Sequence, residues 1–484
     1  MTRKCALIIA GIVVTALTSA CSVGPDYVRP TTVVPADFKE SGPWKVAQPQ
    51  DGVSRGTWWR IYDDPHLNEL EEAVEVSNQN LIAAEARFRQ ARALVQGARS
   101  GYFPQVSAGA SVIRSRKPAG PGEAGSSNIT TNYLLSADVS WELDLWGKVR
   151  RNVEASQAGA LASAADLESL RLSTQAELAL NYFQLRTTDA RKRLFETTVS
   201  SHRQFFDLTQ NRFTAGLVSK ADVLQAETQL KTTQAQAIDL GVQRAQLEHA
   251  MALLIGQPPA QFSIAPAHRD HQPPHIPLSQ PSELLERRPD IAAAERRVAQ
   301  ANAQIGVAQA AYFPAITLSS TAGFVASAFS NWLTWPSRAG TLGAGLTQTL
   351  FDSGLRSAQV DEAYAVYDAA LASYRQTVLT SFLEVEDNLA ALRILKDEAG
   401  VQNDALNAAR KSVAMTTHLY QAGSVSYLNV ITAQTTALNT EQSSIDILGR
   451  RMAASVQLIM GMGGSWDSGY TRVRYRTEKV RNEG

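Results

Sequence analysis

The stretch AAEARFRQARALVQGARSGYFP at residues 83–104 returns 210 positions later as AAERRVAQANAQIGVAQAAYFP at residues 293–314. Half of the 22 positions are identical, and Tyr102, Phe103 and Pro104 recur intact as Tyr312, Phe313 and Pro314. Alanine richness inflates a plain identity count, but it does not place three rarer residues at one offset. A second match, at an offset of 207, sets Ala215, Gly216, Val218, Ser219, Val223 and Ala226 against Ala422, Gly423, Val425, Ser426, Val430 and Ala433. The chain is a tandem duplication, and each half should fold as the same unit.

Each half reads in one order. A helix (about 66–100 and 282–310) stops where Phe103 and Phe313 precede proline, because the residue before a proline is pushed out of helical geometry. Strands follow, at about 104–114 and 133–145 in the first half and about 314–326 and 341–351 in the second. Leu135, Ala137, Val139, Trp141, Leu143 and Leu145 alternate with Ser136, Asp138, Ser140, Glu142 and Asp144, and the other three runs alternate likewise. About ten residues of alternation spans a bilayer as a tilted strand, with the apolar face to lipid. The same pattern also fits a sheet packed on a soluble core. With no segment left to cover those sheets, lipid is the better neighbour. Four strands cannot close a barrel, since roughly eight are needed, so closure requires two, three or four copies.

After each second strand a long helix is expected, over about 148–213 and 355–420. No proline falls between Pro121 and Pro258 or after Pro336, whereas seven lie from Pro258 to Pro281. Proline costs about 3 kcal/mol inside a helix, so the silent stretches permit long ones. Gly216 and Gly423 should end them, Ser219 and Ser426 should cap the returning helices, and those should end near Gly256 and Gly461. This divides the chain into an N-terminal segment at 21–65, a first repeat at 66–256, a Pro-rich connector at 257–281, a second repeat at 282–461 and a tail at 462–484.

At the N-terminus, Arg3 and Lys4 precede an apolar run to Leu17, then Thr18, Ser19, Ala20 and Cys21. Residues 1–20 read as a secretory signal. The Cys after small residues resembles a bacterial lipoprotein cleavage site, so Cys21 is expected to carry an N-acyl and S-diacylglycerol lipid. Ser22, rather than Asp, follows it, which implies sorting to the outer membrane. One thiol remains in the mature chain, so no internal disulfide is available.

Lys plus Arg and Asp plus Glu both number 46 in 484 residues, so no basic field argues for nucleic acid. His268, His271 and His275 are interrupted by prolines and make a poor metal site. Glu384, Glu386 and Asp387 suit either a tunnel lining or a solvated helix face. Neither a phosphate loop nor a nucleophile elbow is present, and no enzyme is expected.

Together, the opening Cys21, Ser22, Val23, Gly24, Pro25, Asp26 and Tyr27, Trp58 and Trp59 before Asp64 and Pro65, the run from Trp141 to Gly147 and the paired Tyr-Phe-Pro triplets resemble the TolC-like outer-membrane factors of tripartite efflux, in their NodT-type lipoprotein branch. The resemblance implies a mainly helical fold with transmembrane strands, in which a homotrimer forms a β-barrel continued by a long periplasmic α-helical barrel. It also implies a passive duct for small molecules that takes its cargo from a periplasmic adaptor and an inner-membrane transporter of the RND type. A duct for type I protein secretion and a non-conducting coiled-coil scaffold are the rival readings. By the same resemblance Gly216, Leu217, Val218 and Ser219, with Gly423, Ser424, Val425 and Ser426, are the adaptor-contacting tips. Asn429 and Thr432 stand where the family has acidic gate rings. Asp222 and Tyr420 match a hydrogen-bonded pair that holds the entrance shut, with Val425 in place of a reinforcing Arg. A weak latch through the Tyr420 hydroxyl is the expectation.

Overall fold

The computed structural model describes residues 23–32, 35, 38–41, 57–117, 128–266, 272–274, 276 and 287–464. Cys21, the signal segment, His268, His271, His275, the start of the helix expected from 282 and the tail beyond 464 lie outside these residues. Among them, seven α-helices and four strands run in the order α1 Pro65–Ser77, α2 Gln79–Ser100, β1 Gln105–Lys117, β2 Asn128–Glu142, α3 Lys148–Thr214, α4 Lys220–Leu254, α5 Pro289–Ala310, β3 Ala315–Ala326, β4 Arg338–Thr347, α6 Leu355–Gln421 and α7 Tyr427–Gly461. The two halves match in length: α2 and α5 each have 22 residues, α3 and α6 each 67, α4 and α7 each 35. At 1.5 Å per residue the 67-residue helices are roughly 100 Å long. No helix among the described residues is long and apolar enough to cross a membrane.

Two compact units divide the chain. The first contains the strands, the helix segments within 87–163 and 293–374, and the described part of 1–31. Its sheet is an antiparallel meander in the order β1-β2-β3-β4, which leaves β1 and β4 as edges. Residues directly opposite one another share a face. One face therefore carries the rows Val106–Val139–Ser320–Leu342 and Ala108–Ala137–Ala322–Gly340, and the other carries Ser107–Asp138–Thr321–Thr341. The four alternations of the sequence fall on one apolar face. On the polar face Asp138 accepts from Ser136 Oγ at 2.8 Å and Thr321 Oγ1 at 2.6 Å. Gly323 is required where it stands, because a Cβ there would lie 1.9 Å from the Leu135 carbonyl.

The second strand of each hairpin ends earlier than expected, at Glu142 and Thr347. Alternation continues in the sequence, but Asp144 serves the next helix instead. Its carboxylate accepts from the backbone N–H of Val149 and Arg150, both at 2.8 Å, and so starts α3. Leu350 and Phe351 likewise lie beyond β4 and are exposed. At this end of the sheet Trp146 donates to the Pro314 carbonyl at 2.8 Å and stacks on Phe313, and Trp141 donates to the Tyr102 carbonyl. The opening segment is pinned beside them. Val23 N–H donates to the Trp146 carbonyl, Arg151 reaches the Val23 and Gly24 carbonyls and the Asp26 carboxylate, and Tyr27 donates to Glu295.

The second unit contains the described parts of 32–86, 164–292 and 375–484. The Trp58, Trp59 to Asp64 stretch is its anchor. Trp59 and Leu67 are fully buried, Tyr62 bonds Ser455 Oγ at 2.8 Å, and Asp64 caps α1 while accepting from the Tyr182 hydroxyl at 2.5 Å. The helix expected over 66–100 is broken at Asn78. That side chain donates to the Leu254 carbonyl and accepts from Asn80 and Leu81 N–H, ending α1 and starting α2. Glu384 pairs with Arg288 at 2.6 Å and Glu386 accepts from the Lys39 and Glu40 N–H groups, so two of the three clustered acids are structural.

Candidate functional site

The hairpin tips are built by one backbone device used twice. At the first, Leu217 N–H donates to the Arg212 carbonyl and Gly216 N–H to that of Phe213, each at 2.9 Å. At the second, Ser424 N–H donates to Leu419 at 2.9 Å and Gly423 N–H to Tyr420 at 3.0 Å. This paired pattern closes a helix C-terminus only if the residue after the cap is left-handed, and Gly216 and Gly423 have φ of 73° and 77°. Gly216, Leu217, Ser219, Gly423, Ser424 and Ser426 are exposed, Val218 is half-buried, and half-buried Val425 packs inward.

The tips differ in how the returning helix begins. Ser219 accepts from Asp222 N–H at 3.3 Å while Asp222 accepts from Ser219 N–H at 3.0 Å, a complete capping box. Ser426 occupies the corresponding N-cap position but makes no side-chain cap, and Asn429, third in α7, offers no carboxylate for a capping box. The expectation that both serines cap their helices holds only for the first.

The expected Asp222–Tyr420 pair is not formed within the chain. Asp222 is held by Ser219, and the Tyr420 hydroxyl faces Thr209 Oγ1 at 3.4 Å. What grips Tyr420 is Arg212, a residue that the sequence pattern did not single out. Its Nη1 donates to the Tyr420 carbonyl at 2.9 Å, and its guanidinium lies 4.7 Å from the centre of the Tyr420 ring. An Arg therefore reinforces the junction of the hairpins, although Val425 is not that Arg. Its clue was a difference within the repeat, since Arg212 stands where the second half has Leu419. Tyr420 is buried with Ala226, Tyr427 and Val430, its ring 5.6 Å from that of Tyr427. Burial and then Tyr420 push the Tyr427 hydroxyl up to about 12.

Asn429 and Thr432 do not join this cluster. They are exposed and line an open groove of about 430 Å³ with Ser412, Thr416, Leu419 and Thr436. No carboxylate lines that groove. Further along the hairpins, buried His202 of α3 lies 3.5 Å from Gln229 of α4. Burial pushes His202 below its ordinary value of 6.5. No cluster of His, Cys, Asp and Glu suited to a metal occurs among the described residues.

A duplicated strand-hairpin and long-helix unit with such tips defines a class of outer-membrane channel protein. The profile of the family described as "Outer membrane efflux protein" matches residues 71–257 and 280–464, and the chain belongs to that family. It is 30% identical over 478 residues to outer membrane protein OprJ of Pseudomonas aeruginosa, covering 98% of this chain and 99% of that one. It is also 30% identical over 454 residues to the toluene efflux pump outer membrane protein TtgC of Pseudomonas putida, covering 92% of this chain and 93% of the relative. Among solved structures, the outer-membrane channel OprN superposes with a TM-score of 0.86 at 32% identity, over 92% of this chain and 99% of that one. The open state of the Neisseria gonorrhoeae MtrE outer membrane channel gives 0.80 at 25% identity, over 92% and 98%. The chain is an outer-membrane component of an efflux pump with the TolC-like fold.

Proposed function

We propose that three copies of this chain close one barrel and act as a passive exit duct, without nucleotide binding or catalysis, for small molecules delivered by a periplasmic adaptor and an RND-type inner-membrane transporter. The two unpaired edges of a sheet with one apolar face carry the reading. In lipid every backbone N–H and C=O needs a partner, so β4 of one copy must pair with β1 of the next. Toluene is the cargo named for one relative, and small apolar compounds are the class proposed here.

Cys21 is the proposed site of the lipid anchor. In support, Val23, two residues after it, is held against the Trp146 end of the sheet. The two tips are the proposed adaptor contact, and Asn429 and Thr432 the proposed uncharged lining of the entrance. Photo-crosslinking tests the assignment. A crosslinker at Leu217 or Ser424 is expected to capture the adaptor, and one at exposed Ile238 of α4 is not. Capture from Ile238 alone would move the contact away from the tips.

A further inference from the structure

The register that sorts the sheet by polarity also sorts its charges. On the apolar face, β1 continues past Val106, Ala108, Ala110 and Val112 to Arg114 and Arg116, while β4 begins with Arg338 opposite Phe324. All three arginines are exposed. No Asp or Glu stands on that face of the strands, whereas Asp138 and Glu142 stand on the other. Arg114 and Arg116 make no ion pair among the described residues. Arg338 donates to the Trp335 carbonyl and lies over that ring, leaving its guanidinium without a carboxylate partner among the described residues.

Their position along the strands is equally specific. They lie at the ends remote from the long helices, and Arg114 is two residues beyond Val112, the partner of Tyr133. Tyr133, Phe329 and Trp332 cluster there with ring centres 5.7 to 5.9 Å apart, in the manner of an interfacial aromatic belt. An Arg on the lipid face of a barrel is costly at the bilayer midplane and nearly cost-free at the interface, where a headgroup can meet it.

We propose that this rim binds lipopolysaccharide, the phosphate-bearing glycolipid of the outer leaflet. The guanidiniums pair with its phosphate oxygens through charge-assisted, bidentate hydrogen bonds. Its acyl chains lie along the rows of Val112, Val106 and Leu342, which are exposed in the single chain. A free phosphate would leave those apolar rows unused. In the closed trimer, β4 of one copy meets β1 of the next, which brings Arg338 beside Arg114 and Arg116 across the seam. That last step rests on the trimer proposed above.

The test uses the full-length assembled protein in detergent, with binding of bisphosphorylated lipid A read by native mass spectrometry. The triple variant Arg114→Gln, Arg116→Gln, Arg338→Gln is expected to bind it roughly a hundredfold more weakly. Arg203→Gln, at an exposed position of α3, is expected to bind it as the natural chain does. Inorganic phosphate at an equal concentration should not compete. The same spectra report the oligomer, so a natural chain that is not trimeric would contradict the closed barrel, whereas a trimeric triple variant with unchanged lipid A binding would overturn this proposal. Equal binding of phosphatidylglycerol would overturn it as well. Should the triple variant fail to assemble, Arg116→Gln alone is expected to weaken binding several-fold, and no change would again overturn the proposal.

Discussion

The two hairpin tips have the same helix-ending turn and the same 35-residue return helix, but they differ in the side chains that hold them. The first is locked locally by the Ser219–Asp222 capping box. The second has no side-chain cap and depends on a partner outside its own hairpin, since Tyr420 is gripped through its carbonyl and ring by Arg212 of α3. Duplication supplied one scaffold twice, and divergence at a few side chains made one tip self-sufficient and the other dependent on its neighbour. Arg212 is the side chain through which the first hairpin holds the second tip.

The comparison can be broken at several points. Tyr420→Ala removes a buried ring from the cluster of Ala226, Tyr427 and Val430 and should cost about 3 kcal/mol of stability, read as a lowered denaturant midpoint, whereas Tyr420→Phe should change little. Gly216→Ala and Gly423→Ala should each cost roughly 1 to 2 kcal/mol through the left-handed backbone alone, because a Cβ meets no atom within 4 Å at either site. Equal losses would confirm that the turns are equivalent and that the asymmetry lies in the side chains.

Ser219→Ala should cost about 1 kcal/mol and Ser426→Ala close to nothing, measured as hydrogen-exchange protection of the first turns of α4 and α7. Similar losses at both would erase the distinction. Acidification should have the smallest effect. Burial holds His202 below 6.5, so the folded chain binds fewer protons there than the unfolded chain, and the contribution present above that value is lost as pH falls through the lowered one. His202→Gln should flatten the pH dependence of hairpin stability below about 6.5.

Much of this was legible in the sequence because repetition carries information that a single segment does not. The Ala-Gly turns, the Tyr-Phe-Pro helix ends and the absence of proline placed both 67-residue helices to within a residue at each end. Strand alternation placed all four apolar runs on one face. What escaped was determined by competition for one side chain. Asp144 could continue an alternating pattern or cap a helix, and it caps. Asp222 could reach Tyr420 or close its own capping box, and the local partner three residues away prevails. Asn78 breaks a helix through a bond to Leu254, a residue far away in sequence. Arg212 escaped for a related reason: matching two halves by identity highlights what they share, and Arg212 sits where they differ.

Single-channel recording on the purified protein in planar bilayers tests the account most directly. The natural chain is expected to conduct weakly at rest, with Arg212→Ala raising the conductance several-fold and Ser219→Ala leaving it unchanged. A conductance that Ser219→Ala raises and Arg212→Ala does not would contradict the account.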